Sequence, residues 1–397
     1  MQKYIMKKTV LKLLFCAAAC CLVPSAYSLT ILPTFDGSIT NDPNGTAMVA
    51  AINNAIQVFQ SKIADNVTVK IHFTNDPSIG LGQSSSWGNS YTYPNFLAAL
   101  KSHATSDNDT NSLSKIPNTA TDPVVGGANI YINKAPARLF GLTTSYGPDG
   151  FDSTIMLKMS LMNFSRPPLD PDKYDLSQVA QHEIDEVLGT SSDLPDFTTI
   201  SPVDLFRYTT NLSRTYTTNG DDAYFSVDGT NLLARFNMNS GGDYSDWYSF
   251  NVTWAPPGQT PVSQVQDAFS LPGNALDLGV NELTMLDVLG WTLTSTAPQT
   301  PPAIKIVRSG ASQFTLSWTN TATGFTLQER TNLLTGAWVA SATGSTNPAV
   351  IVSTNSIKFY RLYKAATPAL AQSKVVVSNH AKSPDQIRIR SLQPRQP

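Results

Sequence analysis

The chain has 397 residues, a formal net charge of −2 and 14% charged residues. Its length allows two domains of ~100–200 residues, and its near-neutral balance supplies no basic field of the kind a nucleic-acid partner requires. The three cysteines, Cys16, Cys20 and Cys21, all lie near the N-terminus, so the rest of the chain carries no disulfide framework.

The first element is a targeting segment. Lys3, Lys7, Lys8 and Lys12 precede a short apolar run from Leu13 to Val23, and Ala26-Tyr27-Ser28 fits a small-x-small cleavage site. Residues 1–28 therefore read as a signal peptide, with a mature chain beginning at Leu29 and located outside the cell, in the periplasm or at the cell surface. A lipid-modified Cys20 or Cys21 is the alternative. The apolar run is short for a membrane span, and no second stretch is long enough, so no transmembrane segment is expected in the mature chain.

Beyond it, Met48, Ile52, Ala55, Ile56, Phe59 and Ile63 form one helical stripe and predict a helix over Thr46–Ile63. Alternation of Val67, Val69, Ile71 and Phe73 predicts a strand. A short helix is expected over Asn95–His103, a strand over Ala128–Ile132, a helical segment over Ala135–Leu142 and a strand over Thr154–Met159. His72 and His103 read as surface residues of their elements. Asp149, Asp152, Asp170, Asp172 and Asp175 read as turn formers, although Ca²⁺ could use such carboxylates.

Asp175 or Ser177 is positioned to cap a helix that Gly189 ends. That helix carries His182-Glu183-Ile184-Asp185-Glu186-Val187-Leu188-Gly189. Residues i and i+4 share a helix face, so His182 and Glu186 can converge on one ion. Zn²⁺ accepts imidazole nitrogen and carboxylate oxygen at similar distances, ~2.0–2.2 Å. A second anionic ligand raises the pH needed to acidify a bound water and moves preference toward harder ions, so Mn²⁺ and Ca²⁺ stay open beside Zn²⁺. Glu183 is placed to act as general base. A third ligand must come from elsewhere. Asp193 is the first choice because a chain reversing after Gly189 returns it to the ion; Asp196 and Asp204 follow. The plain alternative makes His182, Asp185 and Glu186 a solvated face, with Val179, Ile184, Val187 and Leu188 packing.

Downstream, Val203–Tyr208 is followed by a hairpin of Tyr224–Val227 and Leu232–Phe236 across Asp228-Gly229. The stretch Ser240–Trp247 reads as a tight Gly/Asp loop, and Asn281–Leu289 as a helix. Residues 294–303 are a Thr/Pro-rich linker. Short strands between turns over residues 304–364 predict a β-sandwich packed by Trp318, Trp338, Phe359 and Tyr360, a spacer or attachment module with a possible cell-surface or glycan contact. Residues 365–397, with Lys374, Lys382, Arg388, Arg390 and Arg395, read as a flexible, mildly basic tail.

The segment Asp175–Gly189 resembles the active-site helix of zincin metallopeptidases. His182-Glu183-x-x-Glu186 stands where that family has His-Glu-x-x-His, and Gly189 fits the metzincin branch. The ordered blocks Val203–Tyr208, Tyr224–Gly229, Gly241–Trp247, Val265–Phe269 and Glu282–Trp291 resemble predicted secreted bacterial metalloproteases over roughly residues 30–292. The sequence departs from the pattern at Glu186 and at Ser192. The resemblance implies an α+β, zincin-like domain over residues 29–293 followed by a small all-β, fibronectin III- or Ig-like sandwich. It also implies a secreted zinc-dependent metalloendopeptidase acting on a protein or peptide substrate. The alternative is an inactive zincin-type surface or adhesion protein with at most a structural metal.

Overall fold

The computed structural model describes residues 28–195, 198–218, 222–250, 254–257, 259–294, 304–310, 313–318, 326–330, 339–343, 346–352, 358–363 and 386–394. The signal-peptide reading over residues 1–27 lies outside them, as do Asp196, Trp338, the linker residues 295–303 and the tail residues 365–385 and 395–397.

The chain forms a mixed α+β structure. Its largest sheet contains β1 (Thr30–Phe35), β2 (Thr68–Asn75), β3 (Gly82–Thr92), β4 (Asn129–Asn133), β5 (Ser153–Leu157), a two-residue strand at Phe269–Ser270 and a strand at Gln386–Pro394. The order is β1-β2-β5-β3, then Gln386–Pro394, then Phe269–Ser270, with β4 also paired to β3. Pairing is parallel from β1 through β2 to β5, and antiparallel where β3 meets β5, β4 and Gln386–Pro394.

Alternation fixes β2, whose Val69, Ile71 and Phe73 are fully buried. The helices are α1 (Gly37–Thr40), α2 (Gly45–Lys62), α3 (Tyr93–His103), α4 (Asp107–Lys115), α5 (Lys134–Leu139), α6 (Leu176–Asp185) and α7 (Val280–Val288). The expected stripe of α2 is the buried one: Met48, Ile52, Ala55, Ile56 and Phe59 enter the main core. Each such side chain stabilises the fold by roughly 1.5–3 kcal/mol relative to exposure, less for alanine. Among the described residues no helix is long and apolar enough to cross a membrane.

β3 has no counterpart among the sequence expectations. It runs Gly-Gln-Ser-Ser-Ser-Trp-Gly-Asn-Ser-Tyr-Thr, with few of the β-branched residues that mark a strand. Small side chains here serve close packing. A Cβ on Gly82 would overlap the Glu183 carboxylate of α6, and one on Gly88 would overlap the Tyr131 ring. The small strand lets α6 lie against the sheet.

A second, separate core gathers Leu316, Trp318, Leu327, Ala349 and Leu362, with Tyr360 packed on it. Two three-stranded antiparallel sheets supply it: Lys305–Gly310, Gln313–Ser317 and Ala349–Val352 in one, Thr326–Arg330, Val339–Ala340 and Phe359–Tyr363 in the other.

Residues 386–394 differ from the expectation of a flexible tail: they form a strand in the large sheet, with Leu392 in the main core. Their partner edge on β3 is remote in sequence, so local composition gives no sign of it.

Candidate metal centre

The motif helix is positioned from both ends. Asp175 is the N-cap of α6: its side chain accepts from the Gln178 backbone N–H at 2.9 Å and is held by Arg166 at 2.7 Å. Gln178 and Gln181 turn their side-chain oxygens to the backbone N–H groups of Leu276 and Leu278, fixing that segment along the helix. At the other end the helix widens into a π-turn over Glu186–Thr190. There Asn133 donates to the Glu186 carbonyl at 3.0 Å and the Trp291 indole to the Leu188 carbonyl at 2.8 Å. Gly189 sits at φ 117°, a left-handed conformation that suits glycine and turns the chain away from the helix.

Every residue of α6 is buried, and so is every residue of the π-turn. His182, Asp185 and Glu186 therefore do not form a solvated face. Instead His182, Glu186 and Asp246, all fully buried, bring one ligating atom each to within 4.8 Å of one another. His182 Nε2 is 3.6 Å from Asp246 Oδ2 and 3.9 Å from Glu186 Oε1. Ligand atoms ~2.0–2.2 Å from one ion in tetrahedral array stand roughly 3.3–3.6 Å apart, so this spacing needs little adjustment to take one.

Electrostatics point the same way. His182 Nδ1 lies 3.0 Å from the Val265 carbonyl oxygen. An N–H there donates to that oxygen and leaves Nε2, which the Gln266 amide approaches at 3.5 Å, as the lone-pair nitrogen turned toward the two carboxylates. Burial lowers the imidazole pKa to about 4, so the ring is neutral. Glu186 accepts from Ser84 Oγ at 2.7 Å through Oε2, while its Oε1 has no hydrogen-bond partner. Asp246 accepts from the Gln266 amide at 3.0 Å through Oδ1, while its Oδ2 has none. Unsatisfied carboxylate oxygens are costly to bury, and here they face the His182 Nε2 atom. Burial, followed by the negative charge of Asp243, pushes Glu186 up to about 8. Burial and then Glu186 raise Asp246 well above the usual carboxylate range. A divalent cation between them would relieve both effects.

Glu183 is next to this group. Its two carboxylate oxygens are buried without hydrogen-bond partners, and burial, then the neighbouring Glu186, raise its pKa strongly. Asp243, also raised by burial, is held in place by the Ser391 backbone N–H at 2.8 Å.

The other sequence candidates lie elsewhere. Asp193 is not in the cluster; its carboxylate pairs with Arg388 at 2.6 Å and Arg390 at 3.5 Å. Asp204 closes a capping box with Ser201 and accepts from Ser192 Oγ at 2.6 Å. Arg207 is buried on the Phe236 ring and donates to the Tyr244 carbonyl, which holds the loop that carries Asp246. His103 is buried edge-on against Phe140 rather than at the surface, and His72 packs on Phe151. Asp152 is gripped by Arg138, and Asp149 accepts from the Trp87 indole. Asp246 is the candidate ligand that sequence reasoning did not join to the motif helix, reading it as part of a tight loop with at most a second ion of its own. Its only signal was the Gly241-Gly242-Asp243-x-x-Asp246 spacing inside a block already singled out.

Comparison with family models, with curated proteins and with solved structures finds no match.

Proposed function

We propose that the chain is a secreted metal-dependent endopeptidase in which His182, Glu186 and Asp246 hold the ion and Glu183 is the general base. The observation that carries this reading is the convergence of the lone-pair nitrogen of His182 with unpartnered carboxylate oxygens of Glu186 and Asp246, all fully buried, beside the helix that also presents Glu183. Zn²⁺ is the ion proposed, with Mn²⁺ and Ca²⁺ as alternatives. When bound, such an ion supplies Lewis-acid polarisation and an acidified water. Glu183 then takes and returns a proton, a role worth ~10²–10⁴-fold in rate. A bound cation would offset the burial and the neighbouring negative charge that raise the pKa values of Glu183 and Glu186. On this reading residues 29–293 form a zincin-like catalytic domain, and the sheets around Trp318 an attachment module.

The test is metal content by mass spectrometry on protein purified without chelators, beside His182→Ala and Asp246→Ala, followed by proteolysis assays with Glu183→Gln. We expect about one equivalent of metal, lost in both ligand variants. Glu183→Gln should keep its metal and lose hydrolysis by ~10²-fold or more. No metal after incubation with Zn²⁺, Mn²⁺ and Ca²⁺ overturns the proposal. The complete burial of Glu183 favours a second reading, a non-catalytic surface protein with a structural ion. Retained metal without hydrolysis in any form would select it.

A further inference from the structure

We propose that the Gly82–Gly88 edge of β3 is a strand-addition site for an extended peptide with arginine at alternate positions. The chain's own Gln386–Pro394 strand fills that site as a displaceable, autoinhibitory occupant. The inhibitory part rests on the peptidase reading; the binding site does not.

The register is continuous. Gln386–Leu392 pairs antiparallel with Gly88–Gly82, and the Leu81 N–H donates to the Leu392 carbonyl at 3.0 Å. The opposite edge of β3 is taken by β5 and β4. Beyond the added strand, Phe269–Ser270 pairs with Gln393–Pro394. The segment thus bridges β3 and Phe269–Ser270, and its Ser391 N–H donates to Asp243, whose charge acts on Glu186.

Its anchorage is that of a bound peptide rather than a core strand. A strand integral to a sheet over one core buries its apolar face. Here Ile387 and Ile389 are 46% and 53% exposed, and Leu392 is the one side chain that enters the main core. Backbone pairing and charge supply the rest, as in recognition by β-strand addition. Arg388 lies 3.1 Å above the Tyr131 ring, donates to Ser201 Oγ at 3.1 Å and pairs with Asp193. Arg390, two residues on and so on the same face, reaches the same carboxylate. Tyr131, Ser201 and Asp193 make a subsite for a guanidinium, which they would offer equally to an arginine of another chain.

The test uses the full chain carrying a specific-protease recognition sequence in place of residues 372–378, compared uncut and cut. A second protein, uncut, carries Arg388→Glu with Arg390→Glu. The probe is a fluorescein-labelled peptide of the sequence Gln386–Pro394, followed by anisotropy. We expect the cut chain and the double variant to bind the peptide and the uncut parent not to. Asp193→Asn in the cut chain should weaken binding about tenfold, as should replacing both peptide arginines by glutamine. No binding by either opened form, or binding indifferent to Asp193, overturns the site. Proteolysis is read in the same samples with Zn²⁺ added. Peptide binding without hydrolysis keeps the site and sinks the peptidase. Equal hydrolysis cut and uncut, without peptide binding, does the reverse.

Discussion

Gly82 and Glu183 meet so closely that a single added carbon on residue 82 would overlap the Glu183 carboxylate. The strand beneath the motif helix and the candidate general base are thus fitted to each other. Gly82→Ala must push α6 off the sheet or turn Glu183 out of place. We expect a loss of about 1–3 kcal/mol in stability, the usual range for overpacking, together with lower proteolysis. Thermal melts and activity on the same samples check both. An unchanged protein would show that the contact relaxes freely.

Asp246 and Asp193 make a contrasting pair. Asp246→Asn removes one of three converging ligands, so metal affinity should fall by at least tenfold, about 1.4 kcal/mol. The same change relieves buried like-charge crowding, so the chelated protein should melt higher than the chelated parent. Asp193→Asn should leave metal content unaltered, because that carboxylate faces Arg388 and Arg390. Calorimetric titration with Zn²⁺ separates the two. Equal effects on affinity would restore Asp193 as a ligand.

The pH dependence of the metal-free protein has a defined sign. Burial and Asp243 push Glu186 from 4.5 up to about 8. A folded carboxyl that holds its proton more tightly than the unfolded one favours the fold at low pH. That advantage is complete below the unfolded value and is lost as pH rises toward the folded one. With chelator present, the melting temperature should therefore decline between about pH 5 and about pH 8. With excess Zn²⁺ the ion replaces the proton, and its stabilisation should grow over the same window. Parallel curves with and without metal would contradict the cluster as the site.

Asp65 provides a test far from the metal centre. It is 7% exposed, accepts from the Thr292 backbone N–H at 2.6 Å, and burial raises its pKa from 3.8 to about 6. Asn keeps an acceptor and removes the charge. Asp65→Asn should therefore be more stable than the parent above about pH 6, by up to about 3 kcal/mol, with the difference vanishing toward pH 4. Denaturant titrations at the two ends of that window check it.

Where burial follows a single period, the sequence was readable. The stripe of α2, the alternation of β2 and the Asp175 cap with its Gly189 exit all recur in the structure at nearly the expected residues. His182, Glu183 and Glu186 were legible for the same reason, since helix geometry alone puts them together. β3 was not. Its serines and glycines are chosen by the helix that lies on them, and that contact is tertiary. Asp246 was hidden because a loop residue owes its place to Arg207 and Gln266 rather than to any local period. In the C-terminal strand, Ile387, Arg388, Ile389 and Arg390 do alternate. The isoleucines face water, however, so the pattern carried no burial signal, and the basic residues read as a tail.

The C-terminal strand also sets an order in time. Gly82 pairs with Leu392, so the sheet cannot be completed until residues made long after the helix and loop of the metal centre are available. Pairings so distant in sequence are slow to form. Until they do, the carboxylates of Glu183, Glu186 and Asp246 lie nearer to water, where their charge costs little and an ion can reach them. Loading of the centre is therefore fastest before the last strand docks, and an ion that arrives later enters at the rate at which that strand lifts.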